Sequence, residues 1–145
     1  MQKVLGDDQS DQTVNLRHKC NAALPDAAVK AQVWKDLTDP ESKDSLYVKT
    51  AKMGGFYAWD QLDICEPYFD KFYEVIPQIY KDTSTRYFEN FFFYMLPKMI
   101  IKDAHIVKLC SIKANTSDLE SNFAKELQDG IEMLLRCKEI REFSN

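Results

Sequence analysis

Apolar side chains recur at spacings of three and four residues along nearly every segment of this chain. That spacing puts them on one face of an α-helix, whereas a half-buried strand would alternate apolar and polar residues, which no segment sustains. The amphipathic segments are joined by short links. The sequence therefore predicts an all-α protein whose antiparallel helices stack as a superhelical array of the HEAT or armadillo kind. Because no fixed-period repeat is visible, helix length and spacing alone carry this prediction.

The length and composition suit a single globular domain. With 145 residues, of which 45% are hydrophobic and 29% charged, the chain can bury a core without a metal or disulfides. We expect a flexible segment over residues 1–10 and one helical domain over residues 11–145.

The charge pattern argues against nucleic acid as a partner. The formal net charge is −4, and basic residues are scattered among acidic ones. Nucleic-acid binding usually leaves a basic stripe or patch on the protein. We therefore expect no nucleic-acid partner.

The cysteines indicate the compartment. Cys20, Cys65, Cys110 and Cys137 are far apart, and none forms a C-x-x-C pair. The first fifteen residues are polar and lack the apolar region of a signal peptide. We expect reduced, mostly buried thiols in a cytoplasmic protein.

The most apolar stretch is "RYFENFFFYMLPKMII", residues 86–101. It is too short for a membrane span, which needs about 20 consecutive apolar residues, so no membrane association is expected. A stripe at helical spacing predicts a buried helix face made of Phe88, Phe91, Phe92 and Met95. Since Phe93 and Tyr94 lie off that stripe, we expect this helix to be covered on more than one side. An aromatic box that stacks on a ligand is the alternative.

Three helices are expected before residue 54. The first covers about residues 11–23, and the second holds Pro25 in its first turn. The third covers about residues 44–53 and ends where Gly54 and Gly55 adopt the left-handed conformation of a C-cap. The inward side chains would be Val14, Leu16 and Cys20, then Ala27, Ala31, Trp34 and Leu37, then Leu46, Val48 and Ala51.

The second half of the chain predicts four further helical segments. One helix, with Pro67 in its first turn or at a kink, would end before a short segment that Pro77 opens. The next would start at an N-cap, Thr83 or Ser84, and another at Asp103. The last would begin with a capping box of Ser117 and Glu120. The expected inward side chains are Leu62, Ile64, Tyr68, Phe69, Phe72, Tyr73 and Ile76, and in the last helix Leu119, Phe123, Leu127, Ile131, Leu134 and Leu135.

No recognisable catalytic or metal site is present. The only histidines are His18 and His105, and tetrahedral zinc needs four ligands, or three and a water. A G-x-S-x-G elbow and a glycine-rich phosphate loop are missing. The carboxylate pairs at helical spacing, Asp60 with Asp63 and Glu139 with Glu142, are interpreted as solvated faces. We thus expect no catalytic, cofactor-binding or metal-binding residue.

Several blocks of the chain resemble a known family. They are "NAALPDAAVKAQVWKDL", "GGFYAWDQLDICEPYFDKFYEVIPQIY", "YMLPK" and "LQDGIEMLLRCKEI". In order and spacing they are similar to the C-terminal helical domain of zinc aminopeptidases of the aminopeptidase N type, in its bacterial-like gluzincin branch, over residues 17–141. The matching positions are Pro25, Lys30, Trp34, Gly55, Phe56, Gln61, Pro67, Tyr68, Phe72, Tyr73, Pro77, Leu96 and Pro97.

The resemblance implies a noncatalytic piece of a larger enzyme. In that family an upstream domain of the same polypeptide binds zinc through H-E-x-x-H and a later glutamate, and neither that motif nor a G-A-M-E-N-like loop occurs here. The helical domain caps and shapes the chamber in which peptides lose their N-terminal amino acids. One departure is the run Phe91, Phe92 and Phe93, where many relatives have small and aliphatic residues.

Arg86, Glu89, Asn90 and Tyr94 are the candidates for side chains that line such a chamber. They share a helix with the phenylalanines, although a solvated face explains them equally well. The alternatives to the aminopeptidase segment are a free-standing helical-repeat adaptor that binds another protein and a helical bundle that binds a small molecule.

Overall fold

The computed structural model describes residues 11–116 and 122–144, which are helical throughout apart from short links. The described residues form eight α-helices and one short 3₁₀ helix, Trp59–Gln61, and contain no strand, so the all-α prediction is confirmed. The predicted flexible segment 1–10 and the predicted capping box, with Leu119, lie outside the described residues. The α-helices are α1 (Asp11–Ala22), α2 (Ala27–Thr38), α3 (Leu46–Phe56), α4 (Leu62–Cys65), α5 (Pro67–Asp82), α6 (Thr85–Met95), α7 (Asp103–Ala114) and α8 (Asn122–Ser144).

The chain forms two compact units, the first ending at Glu66 and the second starting at Pro67. In the first unit α2 begins at an aspartate cap, because the Asp26 carboxylate accepts hydrogen bonds from the amides of Ala28 (2.8 Å) and Val29 (3.4 Å). Pro25 therefore precedes the helix. The expectation that Pro25 lies in the first turn was wrong, because Asp26 is the N-cap and the helix begins at Ala27.

Helix α2 packs antiparallel to α3. Lys30 near its start reaches Phe56 at the end of α3, and Asp36 near its end pairs with Lys52 at 3.1 Å. Its buried side chains are Lys30, Val33 and Leu37. The expected inward face was thus right for Leu37, but Trp34 is half-buried and Ala27 and Ala31 are exposed.

The predicted helix stop at Gly54 and Gly55 was wrong. Helix α3 continues to Phe56, and no described glycine has a positive φ. The physical reason is close approach, because a Cβ on Gly55 would lie 2.1 Å from the carbonyl oxygen of Lys19 in α1. Gly55 thus allows α1 and α3 to cross at close distance.

The crossing also sets which face of α1 is buried. Thr13 and Ala22 are buried, whereas Leu16 is 50% exposed and Cys20 is exposed. The inward facing expected for Leu16 and Cys20 was therefore wrong. Val14, like the α3 side chains Leu46, Val48 and Ala51 and the α4 side chains Leu62 and Ile64, is half-buried.

Helix α5 opens the second unit. Pro67 is its first residue, where a proline costs no hydrogen bond, and Pro77 lies inside it, so the predicted break there was wrong. Ile76 and Ile79 on either side of Pro77 are both buried, so the helix keeps its apolar face inward past the proline. The predicted buried face is confirmed for Tyr68, Phe69, Phe72, Tyr73 and Ile76.

Helix α6 starts at the Ser84 cap, whose hydroxyl accepts a hydrogen bond from the amide of Tyr87. Its predicted stripe is confirmed, since Phe88, Phe91, Phe92 and Met95 are all at most 3% exposed. The rings pack on α5 in antiparallel order. Phe72 lies against Phe91 with centroids 5.9 Å apart, and Tyr80 lies edge-on to Phe88 at 5.2 Å.

Helices α6, α7 and α8 alternate in direction. Phe123 and Gly130 of α8 meet Phe88 and Phe92 of α6 in the same chain order. Helix α7 runs the opposite way, as contacts of Asp103 with Lys138 and of Lys113 with Gln128 show. Stacked antiparallel helices are therefore present in this unit, and the longer superhelical array stays a prediction.

Two further expectations about α7 and α8 needed correction. The residue at the N-cap of α7 is Lys102, and Asp103 is the first helical residue, where its carboxylate lies beside the positive end of the helix dipole. In α8, Phe123, Leu127, Ile131 and Leu134 are buried as predicted, but Leu135 is 44% exposed.

The four cysteines are free thiols. Cys65 is buried and Cys137 is half-buried, while Cys20 and Cys110 are exposed, so the expectation of mostly buried thiols was wrong.

None of the described helices is both long enough and apolar enough to cross a membrane.

Candidate functional site

The predicted chamber-lining residues share one face of α6. Arg86, Glu89 and Tyr94 are exposed and Asn90 is half-buried, and they lie opposite the phenylalanine stripe that packs on α5. Spacings of three, four and eight residues bring them to the same side of the helix. Whether this face borders a substrate chamber stays a prediction.

Phe93 stands among these residues, on the outside of the helix. It is 59% exposed and Tyr94 is 39% exposed, so the expectation that these two rings are covered was wrong. Helix α6 is nevertheless covered on more than one side, because Phe91 packs on Phe72 of α5 and Phe88 packs on Phe123 of α8. The Phe93 and Tyr94 rings meet edge-on at 5.1 Å, and the Lys98 ammonium lies 4.9 Å from the Phe93 centroid. Stacking and a cation–π contact thus hold the exposed ring beside the end of α6.

A groove of about 370 Å³ runs between α6, the segment after it, and α8. We call it the Phe93 groove. Phe92, Leu96 and Gly130 are buried at its base, and Met133 is half-buried. A Cβ on Gly130 would lie 2.6 Å from the Phe92 ring, so the glycine allows that ring to lie against α8. The groove is lined by Phe92, Phe93, Leu96, Lys98, Glu126, Asp129, Gly130, Glu132, Met133 and Arg136.

The electrostatics of the groove are uneven. The half-buried Glu126 has its pKa raised, first by burial and then by the neighbouring carboxylates of Glu89 and Asp129. Lys98, Glu132 and Arg136 also line the groove. A ligand would therefore meet carboxylates, an apolar base and two cationic side chains in one groove.

A second cluster of ionisable side chains lies where α5 meets α7. His105 is 3% exposed and stacks on Tyr73 with centroids 5.2 Å apart. Burial lowers the pKa of His105, which outweighs the opposing effect of Asp70, whose Oδ1 lies 3.8 Å from His105 Nε2. Lys108 donates a hydrogen bond to Asp70 at 3.0 Å and lowers the pKa of that carboxyl.

The same cluster holds two buried polar atoms without a hydrogen-bond partner in the described structure, the Tyr73 hydroxyl and His105 Nδ1. Burial raises the pKa of Tyr73 well above its usual range. Both groups are thus kept neutral near pH 7 inside a packed helix junction.

Sequence reasoning missed the burial of Lys30. Its side chain is fully buried, and Nζ donates hydrogen bonds to the carbonyl oxygens of Ala22 (2.6 Å) and Phe56 (2.5 Å). These residues end α1 and α3, so one cation serves the negative ends of two helix dipoles. The available signal was positional, because Lys30 stands three and seven residues before Val33 and Leu37 on the face that packs inward.

Among residues 11–116 and 122–144, no group of three or more histidine, cysteine, aspartate or glutamate side chains could hold a metal ion. The carboxylates interpreted as solvated faces, Asp60, Asp63, Glu139 and Glu142, are all exposed. The Phe93 groove is the recess that we consider as a candidate site.

The fold of the described residues places the chain in the class of all-α proteins. No protein-family model matches the chain, and no curated protein is significantly similar to it.

Proposed function

We propose that the chain is the noncatalytic C-terminal helical segment of a zinc-dependent aminopeptidase that removes N-terminal amino acids from peptides. The observation that carries the proposal is the position of the residues in which the resemblance lies. Lys30 bonds Phe56, Gly55 permits the helix crossing, and the Trp34 ring lies 6.0 Å from that of Phe56. Gln61 donates a hydrogen bond of 2.7 Å to the carbonyl oxygen of Ala23 at the same junction.

These contacts support the proposal because they give a packing reason for the residue types on which the resemblance rests. A glycine at a close crossing and a buried lysine between two helix ends are demanding requirements, because another residue would clash at the first and leave carbonyl groups unpaired at the second. In the second unit Tyr68, Phe72, Tyr73 and Leu96 belong to the core in the same way. Most of the matching residues are thus packing residues, as expected of a segment with a structural role, although Pro25 and Pro67 are exposed.

In this proposal the chain caps and shapes the peptide chamber of the parent enzyme. Its partners are the upstream catalytic domain of the same polypeptide and peptide substrates, and zinc belongs to that upstream domain. The exposed face of α6, with Arg86, Glu89, Asn90 and Tyr94, is the part that we assign to the chamber. A cytoplasmic location fits the widely spaced free cysteines.

The first test is the reading frame upstream of residue 1. The proposal expects an H-E-x-x-H motif there with a glutamate further on. The second test uses the purified chain after incubation with zinc, which should be helical by circular dichroism, hold less than stoichiometric zinc and leave aminoacyl-amide substrates intact. Metal-dependent hydrolysis by the clean chain would overturn the noncatalytic role.

A second candidate function is a free-standing helical adaptor that binds another protein. The exposed Phe93 beside an open groove favours it, because large exposed apolar side chains in a groove often mark interaction sites. A reading frame that lacks the upstream zinc motif would favour the adaptor over the aminopeptidase segment.

A further inference from the structure

The Phe93 groove combines apolar and charged surface in a definite order. At one end Glu126 and Asp129 of α8 lie close to Glu89 of α6, near enough for each to raise the pKa of Glu126. Within the part of the chain that the structure describes, no cation forms an ion pair with Glu126. Like charges that gather without a counter-ion cost free energy, and a bound cation would relieve that cost.

The other end of the groove carries the opposite charge. Arg136 follows Glu126 by ten residues on α8, which is about 15 Å along the helix axis. Lys98 lies towards the same end, because Arg141 further along α8 donates a hydrogen bond to its carbonyl oxygen, and its ammonium lies 4.9 Å from the Phe93 centroid. Glu132 also lines the groove, between Asp129 and Arg136 on α8. The charge along the groove thus changes from three carboxylates of α8 to the cations Lys98 and Arg136, beside an apolar base.

The apolar middle can take side chains. Phe92, Leu96 and Met133 line it, and Phe93 stands over it with most of its ring exposed. Its volume of about 370 Å³ falls in the range of sites that bind small ligands or a few side chains, roughly 300–1,000 Å³. Apolar contact there would supply the affinity, and the charged ends would fix the direction of the ligand.

We propose that the Phe93 groove is a docking site for an extended segment of another protein that carries a basic residue, then bulky apolar residues, then an acidic residue. The basic side chain lies against Glu126 and Asp129, and the acidic one lies against Lys98 and Arg136. An extended chain rises about 3.3 Å per residue, so the two charged residues are about four positions apart. This site goes beyond the proposed aminopeptidase role, because it requires neither a catalytic domain nor a free peptide terminus.

The test uses three synthetic peptides with blocked ends and the complete chain labelled with nitrogen-15. The first peptide has arginine, alanine, leucine, phenylalanine and aspartate in that order, the second exchanges the arginine and the aspartate, and the third replaces leucine and phenylalanine with serine. The first should give saturable shifts in amide resonances of Phe93, Gly130 and Met133. The exchanged and serine peptides should each bind at least roughly tenfold more weakly.

Variants of the chain connect the binding to the groove. The pair Glu126→Gln with Asp129→Asn should weaken the first peptide by roughly tenfold and remove its preference over the exchanged peptide. Phe93→Ala should weaken alike the two peptides that contain leucine and phenylalanine. The matched controls are Glu74→Gln, an exposed carboxylate on α5, and Val107→Ala, an apolar side chain of α7 that is 61% exposed. Both should bind as the unaltered chain does.

The pH dependence gives an independent measurement. A cation next to Glu126 favours its ionised form, so binding releases protons and the affinity should rise as pH increases from about 4.5 to 7. The charged groups that face this carboxylate are Glu89 of α6 and Asp129 of α8. Equal affinity for the direct and exchanged peptides, unaltered binding by the double variant, or no saturable shift around Phe93 would each overturn the proposal.

Discussion

Lys30 shows how one buried charge can organise a helical unit. Its ammonium lies at the ends of α1 and α3 and bonds the carbonyl oxygens of Ala22 and Phe56. Burial lowers the pKa of Lys30, while Cys65 and Asp60 oppose that effect. The lysine is therefore costly to bury, and the two carbonyl groups that it satisfies are the compensation.

Removing this donor should destabilise the chain strongly. Lys30→Met keeps the length of the side chain but leaves two buried carbonyl oxygens without their donor, and each costs about 1–3 kcal/mol. Relief of the buried charge offsets part of this, so we expect a loss of about 2–4 kcal/mol in the free energy of unfolding.

Urea denaturation followed by circular dichroism measures this loss. The matched control is Lys35→Met on the exposed side of α2, which should change stability by less than about 0.5 kcal/mol. Equal effects of the two substitutions would contradict the role of Lys30 as the joint partner of two helix ends.

His105 should make stability depend on pH. Its folded-state pKa is lowered by burial, whereas in the unfolded chain a histidine titrates near 6.5. Below about pH 6.5 the unfolded chain therefore binds a proton that the folded chain does not, so stability falls as the pH is lowered through this window.

The comparison is with His105→Phe, which keeps a ring against Tyr73 but cannot bind a proton. The unfolding free energy of the unaltered chain should fall more between pH 7 and pH 5 than that of the variant, as measured by urea denaturation at each pH. Parallel curves for the two proteins would show that His105 does not carry the effect.

At the scale of the elements, glycines set how close the helices approach. Gly55 lies against the backbone of α1 and Gly130 lies against the ring of Phe92, whereas Gly54 is an exposed residue of the same helix as Gly55. A glycine inside a helix costs roughly 0.5–1 kcal/mol relative to alanine unless its missing Cβ is needed. The three positions thus allow the same substitution, glycine to alanine, to be compared in three environments.

We expect alanine at these three positions to have different effects. Gly54→Ala should stabilise the chain by roughly 0.5–1 kcal/mol. Gly130→Ala should destabilise it by about 1–3 kcal/mol, since the Phe92 ring must move. Gly55→Ala should cost the most, because the atom that its Cβ would meet is a backbone oxygen that cannot turn aside.

Thermal and urea denaturation of the three variants test this order. A stabilising effect at Gly55 would mean that α1 and α3 do not approach as closely as the structure has them.

At the scale of the whole molecule, the chain offers helical surface with no group of metal ligands among its described residues. Its net charge of −4 and scattered basic residues are features of the complete sequence rather than of any element. They affect the choice of partners, because the electrostatic field of the whole molecule acts on any charged partner that approaches it.

We expect no saturable binding to duplex DNA at about 150 mM salt, where the attraction to phosphates depends on a concentrated basic surface. Fluorescence anisotropy with a short labelled duplex of random sequence measures this. The positive control is any basic DNA-binding domain under the same conditions, and saturable binding by the present chain would contradict the predicted absence of a nucleic-acid partner.

The sequence determined the helical class, the core of α5 and α6 and most of the buried face of α8. Apolar spacing decides these features, because a long stripe at three- and four-residue intervals can be buried in only one way. The Ser84 cap was also predicted, as one of two candidates, because serine and threonine are preferred at the N-cap of a helix. Local signals were enough wherever the helix itself determined the answer.

Only the tertiary structure decided what neighbouring helices require of each other. A Gly-Gly pair reads locally as a helix stop, but the closeness of α1 makes Gly55 part of a helix interior. Lys30 reads as a surface residue until two helix ends meet at its ammonium, and Phe93 reads as core until its side of α6 is found open. The physical reason is common to all three, since burial and close approach are properties of pairs of elements that a single segment does not contain.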